Sequence, residues 1–219
     1  RGDFSMSDTV IYLIRPSDAC AKSNFKNIKN SDTVQIYNEK SLLSVSGEKK
    51  AEAMSKIDEL HNIDAVYSSN YVRALSTAKY VAQENNTIIN IDDRFGERKI
   101  GVLGSMDWME FYRNQTHDFD FKLHGGESLN QTKKRMIEAI KNVLMFESGN
   151  RVAIVSHSTA ITCLLSAWCD IGHNYNDEII LSYNDETIVD GHFEAPMIFK
   201  ITFDGMNVKN IECLNIKKL

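Results

Sequence analysis

Two short runs of consecutive apolar residues constrain this chain more than anything else in it. Thr9-Val10-Ile11-Tyr12-Leu13-Ile14 and Arg151-Val152-Ala153-Ile154-Val155 are β-branched and apolar at successive rather than alternate positions. A strand of that kind has to be buried on both faces, as in a sheet covered by helices on each side. The segments between have helical texture. Ser46 to Leu60 puts Lys49, Lys50, Glu52 and Lys56 among its solvated positions, with Ser46 as the expected N-cap. Tyr71 to Gln83 reads as a second helix. Ser128 to Phe146 reads as a long one with Leu129, Met136, Ile140, Val143 and Leu144 in one stripe. A further helix is expected from Thr159 to Trp168. Strands at Asp64–Ser68 and Ile88–Ile91, and apolar runs at Glu178–Leu181, Met197–Phe203 and Val208–Ile216, complete the β structure. Strands alternating with helices predict an α/β fold with a largely parallel central sheet. Ser17 to Lys40 reads as a long polar connection, and Arg94 to Gly126 as irregular with glycines at its turns.

The chain has 219 residues and only two prolines, with no linker-like stretch or repeat, so residues 6–219 are expected to form a single domain. The preceding Arg1-Gly2-Asp3-Phe4-Ser5 reads as a cloning remnant ahead of Met6 rather than as an adhesion motif. Thirty acidic against 25 basic residues leave a net charge of −5, which argues against nucleic acid or an anionic membrane as partner. No apolar run approaches the ~20 residues of a membrane span. Cys20, Cys163, Cys169 and Cys213 are scattered and read as reduced thiols, which points to the cytoplasm. His61, His117, His124, His173 and His192 show no ligand spacing, so neither a metal nor a cofactor is expected.

In parallel sheets, ligands bind beyond the carboxyl ends of the strands. Here those ends carry Arg15-Pro16-Ser17-Asp18, Ser68-Ser69-Asn70 with Arg73 close behind, and Ser156-His157-Ser158. One arginine after a strand usually faces solvent. Two arginines and a histidine at equivalent ends, each beside a helix start, are what a phosphate dianion needs.

Six segments in order resemble the histidine phosphatase superfamily, which includes the cofactor-dependent phosphoglycerate mutases. They are Tyr12-Leu13-Ile14-Arg15; Leu42 to Ala51; Tyr67-Ser68-Ser69-Asn70-Tyr71-Val72-Arg73-Ala74 with Thr77-Ala78; Glu97-Arg98-Lys99-Ile100-Gly101; Gly125-Gly126-Glu127-Ser128; and Val155-Ser156-His157. The resemblance implies a three-layer α/β/α sandwich and a two-step phosphoryl transfer. In that family a histidine directly after the first arginine attacks phosphorus. The resemblance makes Glu97 the proton donor to the leaving oxygen. It makes Arg15, Arg73 and His157, with Ser158 beside them, the residues that hold the phosphoryl oxygens. The segment from Gly104 to His124 is short beside the insertion of true mutases, which favours a phosphatase-like relative with an open pocket. Phe111, Tyr112, Phe119, Phe121 and Trp108 are expected either to form part of a lid or to pack that loop onto the domain.

The departure lies at the centre of the resemblance. The nucleophile position holds Pro16, whose tertiary amide nitrogen has no lone pair to offer. Proline at a strand end is itself permitted and favours an extended Arg15. Cys20, Ser17 and His157 are the conceivable substitutes. Cys20 needs a lowered pKa, Ser17 lacks an adjacent base, and His157 is expected to flank the phosphoryl group rather than stand in line. The reading favoured is a fold that binds phosphate or a phosphorylated small molecule, with hydrolysis lost or strongly impaired. The alternative is an active phosphomonoesterase, working through a substitute nucleophile or altered at Pro16 from an active parent.

Overall fold

The computed structural model describes residues 7–20, 29–214 and 216; the segment read as a cloning remnant, residues 1–5, lies outside them. In chain order the elements are β1 (Thr9–Arg15), α1 (Ser31–Glu39), α2 (Val45–Ser55), β2 (Ala65–Ser68), α3 (Val72–Glu84), β3 (Ile89–Ile91), α4 (Trp108–His117), α5 (Leu129–Phe146), β4 (Arg151–Val155), α6 (Ser158–Leu165), β5 (Asp170–His173), β6 (Ile179–Tyr183), β7 (Glu186–Asp190), β8 (Met197–Asp204) and β9 (Asn207–Leu214).

Six strands form the main sheet in the order β3-β2-β4-β1-β8-β9. β1 and β2 each pair in parallel with β4, and β3 pairs in parallel with β2. β8 is antiparallel to β1 and β9 to β8, so β8 alone runs against the others. The continuous apolar runs explain the layering. Ile11, Leu13, Val152 and Ile154 face one core shared with α5 and α6. Tyr12, Ile14, Ala153 and Val155 face another, shared with α2 and α3. Each fully buried Ile or Leu contributes roughly 1.5–3 kcal/mol, so both faces of β1 and β4 hold the sheet between its helices. The expected stripe on α5 is buried throughout, and Ser128 caps that helix in a reciprocal box with Gln131.

Local differences from the sequence reading have simple causes. α2 is capped by Ser44 rather than Ser46: Ser44 is extended and its Oγ accepts from the Gly47 N–H at 2.9 Å. That helix stops at Ser55, with a separate 3₁₀ turn at Asp58–Leu60. The stretch Ser17–Lys40 contains α1, capped by Asn30 and burying only Val34. The supposedly irregular Arg94–Gly126 contains α4, capped by Asp107, which accepts from the Glu110 N–H. β5, β6 and β7 make a second, antiparallel three-stranded sheet. Val34, Ile100 and Phe111 form a small satellite core with Leu103, Met106, Phe121 and Leu123, tying α1 and α4 to the segment between them. No helix among the described residues is long and apolar enough to cross a membrane.

Candidate functional site

β1, β4 and β2 lie side by side, so their carboxyl ends bring Arg15, His157 and Ser69 to one edge of the sheet. Arg15 is the last residue of β1 and its guanidinium donates to the Phe193 carbonyl. Pro16 and Ser17 are buried directly behind it, and the Ser17 N–H donates to Thr77 Oγ1 of α3 at 3.2 Å. Arg73, in the first turn of α3, donates to the Asn38 carbonyl at 2.6 Å and lies 5.0 Å from the centroid of the Tyr71 ring. His157 also packs on Tyr71, with ring centroids 4.5 Å apart. His157 is 2 % exposed, Nε2 is 2.7 Å from Ser69 Oγ, and Nδ1 has no partner. Ser69 Oγ also accepts weakly from the Tyr71 N–H at 3.4 Å. Ser69 thus holds one ring nitrogen of His157, and the other is buried and open to a partner.

Glu97 comes from the loop after β3. Its carboxylate accepts the Arg98 N–H at 2.8 Å and, at the start of α6, the N–H groups of Thr159 and Ala160 at 3.2 and 3.0 Å. Helix N-termini favour such a charge. The loop is clasped by the Gly125-Gly126-Glu127 turn: the Glu127 N–H donates to the Lys99 carbonyl at 2.8 Å. A Cβ on Gly126 would stand 2.5 Å from the Ile100 oxygen, so only glycine admits this approach.

Burial draws the Arg15 guanidinium below its ordinary pKa; Asp18 and Glu97 oppose that, and Arg73 adds to it. Arg73 is lowered by burial too, against the fields of Glu97 and Tyr71. Burial, then the charges of Arg73, Arg135 and Arg15, push His157 well below the usual histidine range, so it is neutral. Two enclosed guanidinium groups whose side-chain donors meet only carbonyls among the described residues, beside a neutral imidazole with an unpartnered ring nitrogen, make a site suited to an anion.

Two clefts open here. The larger, about 790 Å³, has Arg15, Arg98, Ser158, Thr159, Trp108 and Tyr112 on its wall. The smaller, about 150 Å³, is lined by Glu97, Tyr71, Gln35 and Arg135 among others. The structure therefore puts Arg15 and Ser158 on one wall. Arg73 and His157 lie on neither wall, though the fields of Arg73 and Arg15 reach the His157 ring, and Glu97 faces the smaller cleft.

The family model for the histidine phosphatase superfamily (branch 1) matches residues 27–198. The chain belongs to that superfamily. The matched residues include Arg73, Glu97, His157 and Ser158 and begin after Arg15 and Pro16. A Serratia proteamaculans protein named "Probable phosphoglycerate mutase GpmB" is 31 % identical over 132 residues, 57 % of this chain and 61 % of the relative. The match thus spans less than two thirds of that relative's length. The solved structure of mycobacterial glucosyl-3-phosphoglycerate phosphatase has a TM-score of 0.68 at 14 % identity, covering 94 % of this chain and 97 % of that one. The same phosphatase in complex with inorganic phosphate has a TM-score of 0.62 at 14 % identity, covering 94 % and 95 %. Both likenesses show the histidine phosphatase fold.

Sequence reasoning missed several residues of the candidate site in this histidine phosphatase superfamily member. Ser69, whose Oγ lies 2.7 Å from His157 Nε2, belongs to the Ser68-Ser69-Asn70 strand end, where the charge of Arg73 gives the stronger signal. Tyr71, in contact with both Arg73 and His157, carries no signal in the sequence beyond its type. Arg135 donates to Glu127 and to the carbonyls of Arg94, Gly96 and Glu97, holding the Glu97 loop from α5. Of the aromatics, Phe111 is fully buried while Trp108 and Tyr112 line the large cleft, so the loop both packs onto the fold and walls the pocket.

Proposed function

We propose that this chain holds inorganic phosphate or a phosphorylated small molecule at Arg15, Arg73, His157 and Ser158. Hydrolysis of phosphomonoesters is lost or strongly impaired because Pro16 stands at the position of the nucleophilic histidine. The observation that carries the binding reading is the buried, unpartnered Nδ1 of a neutral His157 beside two enclosed arginines that, among the described residues, donate only to carbonyls. Burial of the two cations is costly and the fields of Asp18 and Glu97 offset it only in part, so an entering dianion relieves them. That a solved protein of the same fold is named as a complex with inorganic phosphate supports this choice of ligand. The four free cysteines fit the expected cytoplasmic setting.

The test is thermal. At ~100 times the dissociation constant, phosphate adds about 2.7 kcal/mol, which for a chain this size means a Tm rise of roughly 5–10 °C. Arg15→Ala and Arg73→Ala are expected to abolish the rise, whatever they do to the Tm of the free protein. No rise with saturating phosphate or vanadate sinks the reading.

A second reading, hydrolysis through a substitute nucleophile, has one observation in its favour. Ser69 Oγ is a hydroxyl 2.7 Å from a neutral imidazole, whereas the Cys20 thiol is exposed and donates to the Leu43 carbonyl. Ser69 is fully buried, which stands against it. Residual hydrolysis that disappears in Ser69→Ala but survives in Cys20→Ala would favour this second reading.

A further inference from the structure

Arg73 and His157 line neither of the two clefts, and the helix that reaches them is the most lightly held in the fold. α1 buries Val34 alone, whereas each of the other five helices buries three residues or more. A helix of that length does not persist in water by itself, so its contacts decide whether it forms. Two of them are made to the phosphate site. The Asn38 carbonyl, in the last turn, accepts from Arg73 Nη1 at 2.6 Å, the one hydrogen bond that guanidinium donates among the described residues. Gln35 Nε2 donates to the Tyr71 hydroxyl at 2.7 Å, and Tyr71 touches both Arg73 and His157.

These contacts oppose an incoming dianion. The carboxyl end of a helix carries partial negative charge, and here it occupies Arg73 as a phosphate oxygen would. α1 also brings the Glu39 carboxylate, which lines the 150 Å³ cleft with Gln35, Tyr71 and Glu97 and whose field reaches the Tyr71 hydroxyl. A phosphate held by Arg73 and His157 therefore meets the repulsion of Glu39 and finds a carbonyl already on its cation. Lifting α1 removes both. With Gln35 and Glu39 it also takes away part of the wall of the small cleft.

We propose that α1 is an autoinhibitory gate: when docked, its last turn competes with phosphate for Arg73, and phosphate binding undocks it. This rests on the reading above that phosphate is held at Arg15, Arg73 and His157. Linkage makes the coupling reciprocal. Whatever weakens the docking of α1 strengthens phosphate binding, and phosphate in turn weakens docking.

Calorimetry with inorganic phosphate and hydrogen exchange, both on the full chain, test this together. The probes are the amides of Val34 and Lys40, which donate to the Asn30 and Ile36 carbonyls and are protected only while α1 is formed. In the unmutated chain, saturating phosphate should speed their exchange at least about fivefold, while amides of α5 stay as they were or slow. Gln35→Ala and Val34→Ala each remove one anchor of α1 and no group that binds phosphate. Each variant that speeds α1 exchange in the free protein should bind phosphate at least about threefold tighter, even as its Tm falls. A merely structural helix gives the opposite pattern, since loosening it leaves phosphate affinity unchanged or lower. That result overturns the proposal. So does α1 exchange that phosphate leaves unchanged or slows, which would make the helix a cover that closes on the ligand. If neither variant speeds α1 exchange, these contacts do not hold the helix and the gate is overturned as well. Failure of inorganic phosphate to bind the unmutated chain appears in the calorimetry alone, and it overturns the underlying reading and this proposal with it.

Discussion

His157 shows what a single residue contributes when its surroundings deny it a charge. Burial and the charges of Arg73, Arg135 and Arg15 depress its pKa, so the folded protein keeps the ring neutral at pH values where an unfolded chain protonates it. The sign follows. Between the unfolded value, about 6.5, and the lower folded one, the unfolded state binds more protons, so stability falls as pH falls. A urea titration should show the midpoint dropping as pH decreases below roughly 6.5, at up to about 1.4 kcal/mol for each pH unit of that window. His157→Gln should flatten the slope between about pH 5 and 6.5, above the range where ordinary carboxylates protonate. An identical slope in both proteins means that the ring titrates normally and is not desolvated.

At the scale of elements, the site depends on how closely α2 approaches the loop after β1. The Ser44 N–H donates to the Asp18 carbonyl at 2.8 Å, the Cys20 N–H donates to Leu42, and Ala19 bridges to Leu43. Gly47 sits under this contact: a Cβ there would lie 2.2 Å from the Asp18 oxygen, which is backbone and cannot swing aside. Gly47→Ala is expected to destabilise by ~1–3 kcal/mol through overpacking. It should also weaken phosphate binding, since residues 16–20 shift with Arg15. Equal phosphate affinity in both proteins would detach α2 from the site. The elements that were legible in the sequence are those whose pattern reports burial. β1 and β4 are apolar at every position, and α5 has one apolar stripe between a cap and a turn. α1 was not legible because only Val34 of its nine residues is buried, leaving no period to see. α4 was hidden by the glycines around it, although Asp107-Trp108-Met109-Glu110 carries the cap signature that would have found it. β5 and β7 are short and largely exposed, which erases the alternation that marks a strand. In the site, charges at strand ends could be read directly. Ser69, Tyr71 and Arg135 could not, because their roles arise from packing between segments distant in sequence.

On the scale of the whole molecule, the candidate site is assembled from β1, the β2–α3 junction, the loop after β3 and the β4–α6 junction. None of its groups works alone. A clamp that holds a phosphoryl group stabilises charge throughout transfer, but without a nucleophile opposite the leaving oxygen the transfer has no first step. Removing a nucleophile from a complete constellation costs on the order of 10⁴–10⁶ in rate, which corresponds to ~5–8 kcal/mol of barrier. Restoring one should return much of that if the rest of the fold is intact. Pro16→His is expected to fold, since Pro16 follows β1 directly, where no helix or ladder depends on its fixed φ. Hydrolysis of a generic phosphomonoester, measured at saturating substrate, should rise by several orders of magnitude. Acid-labile phosphate should be trapped on the new imidazole on quenching. If the unmutated chain already hydrolyses as fast, the nucleophile lies elsewhere and Ser69 becomes the group to test. If Pro16→His binds phosphate but hydrolyses nothing, the defect extends beyond position 16. The first suspect is then Glu97, whose carboxylate already accepts three backbone N–H groups and would have to leave them to protonate a leaving oxygen.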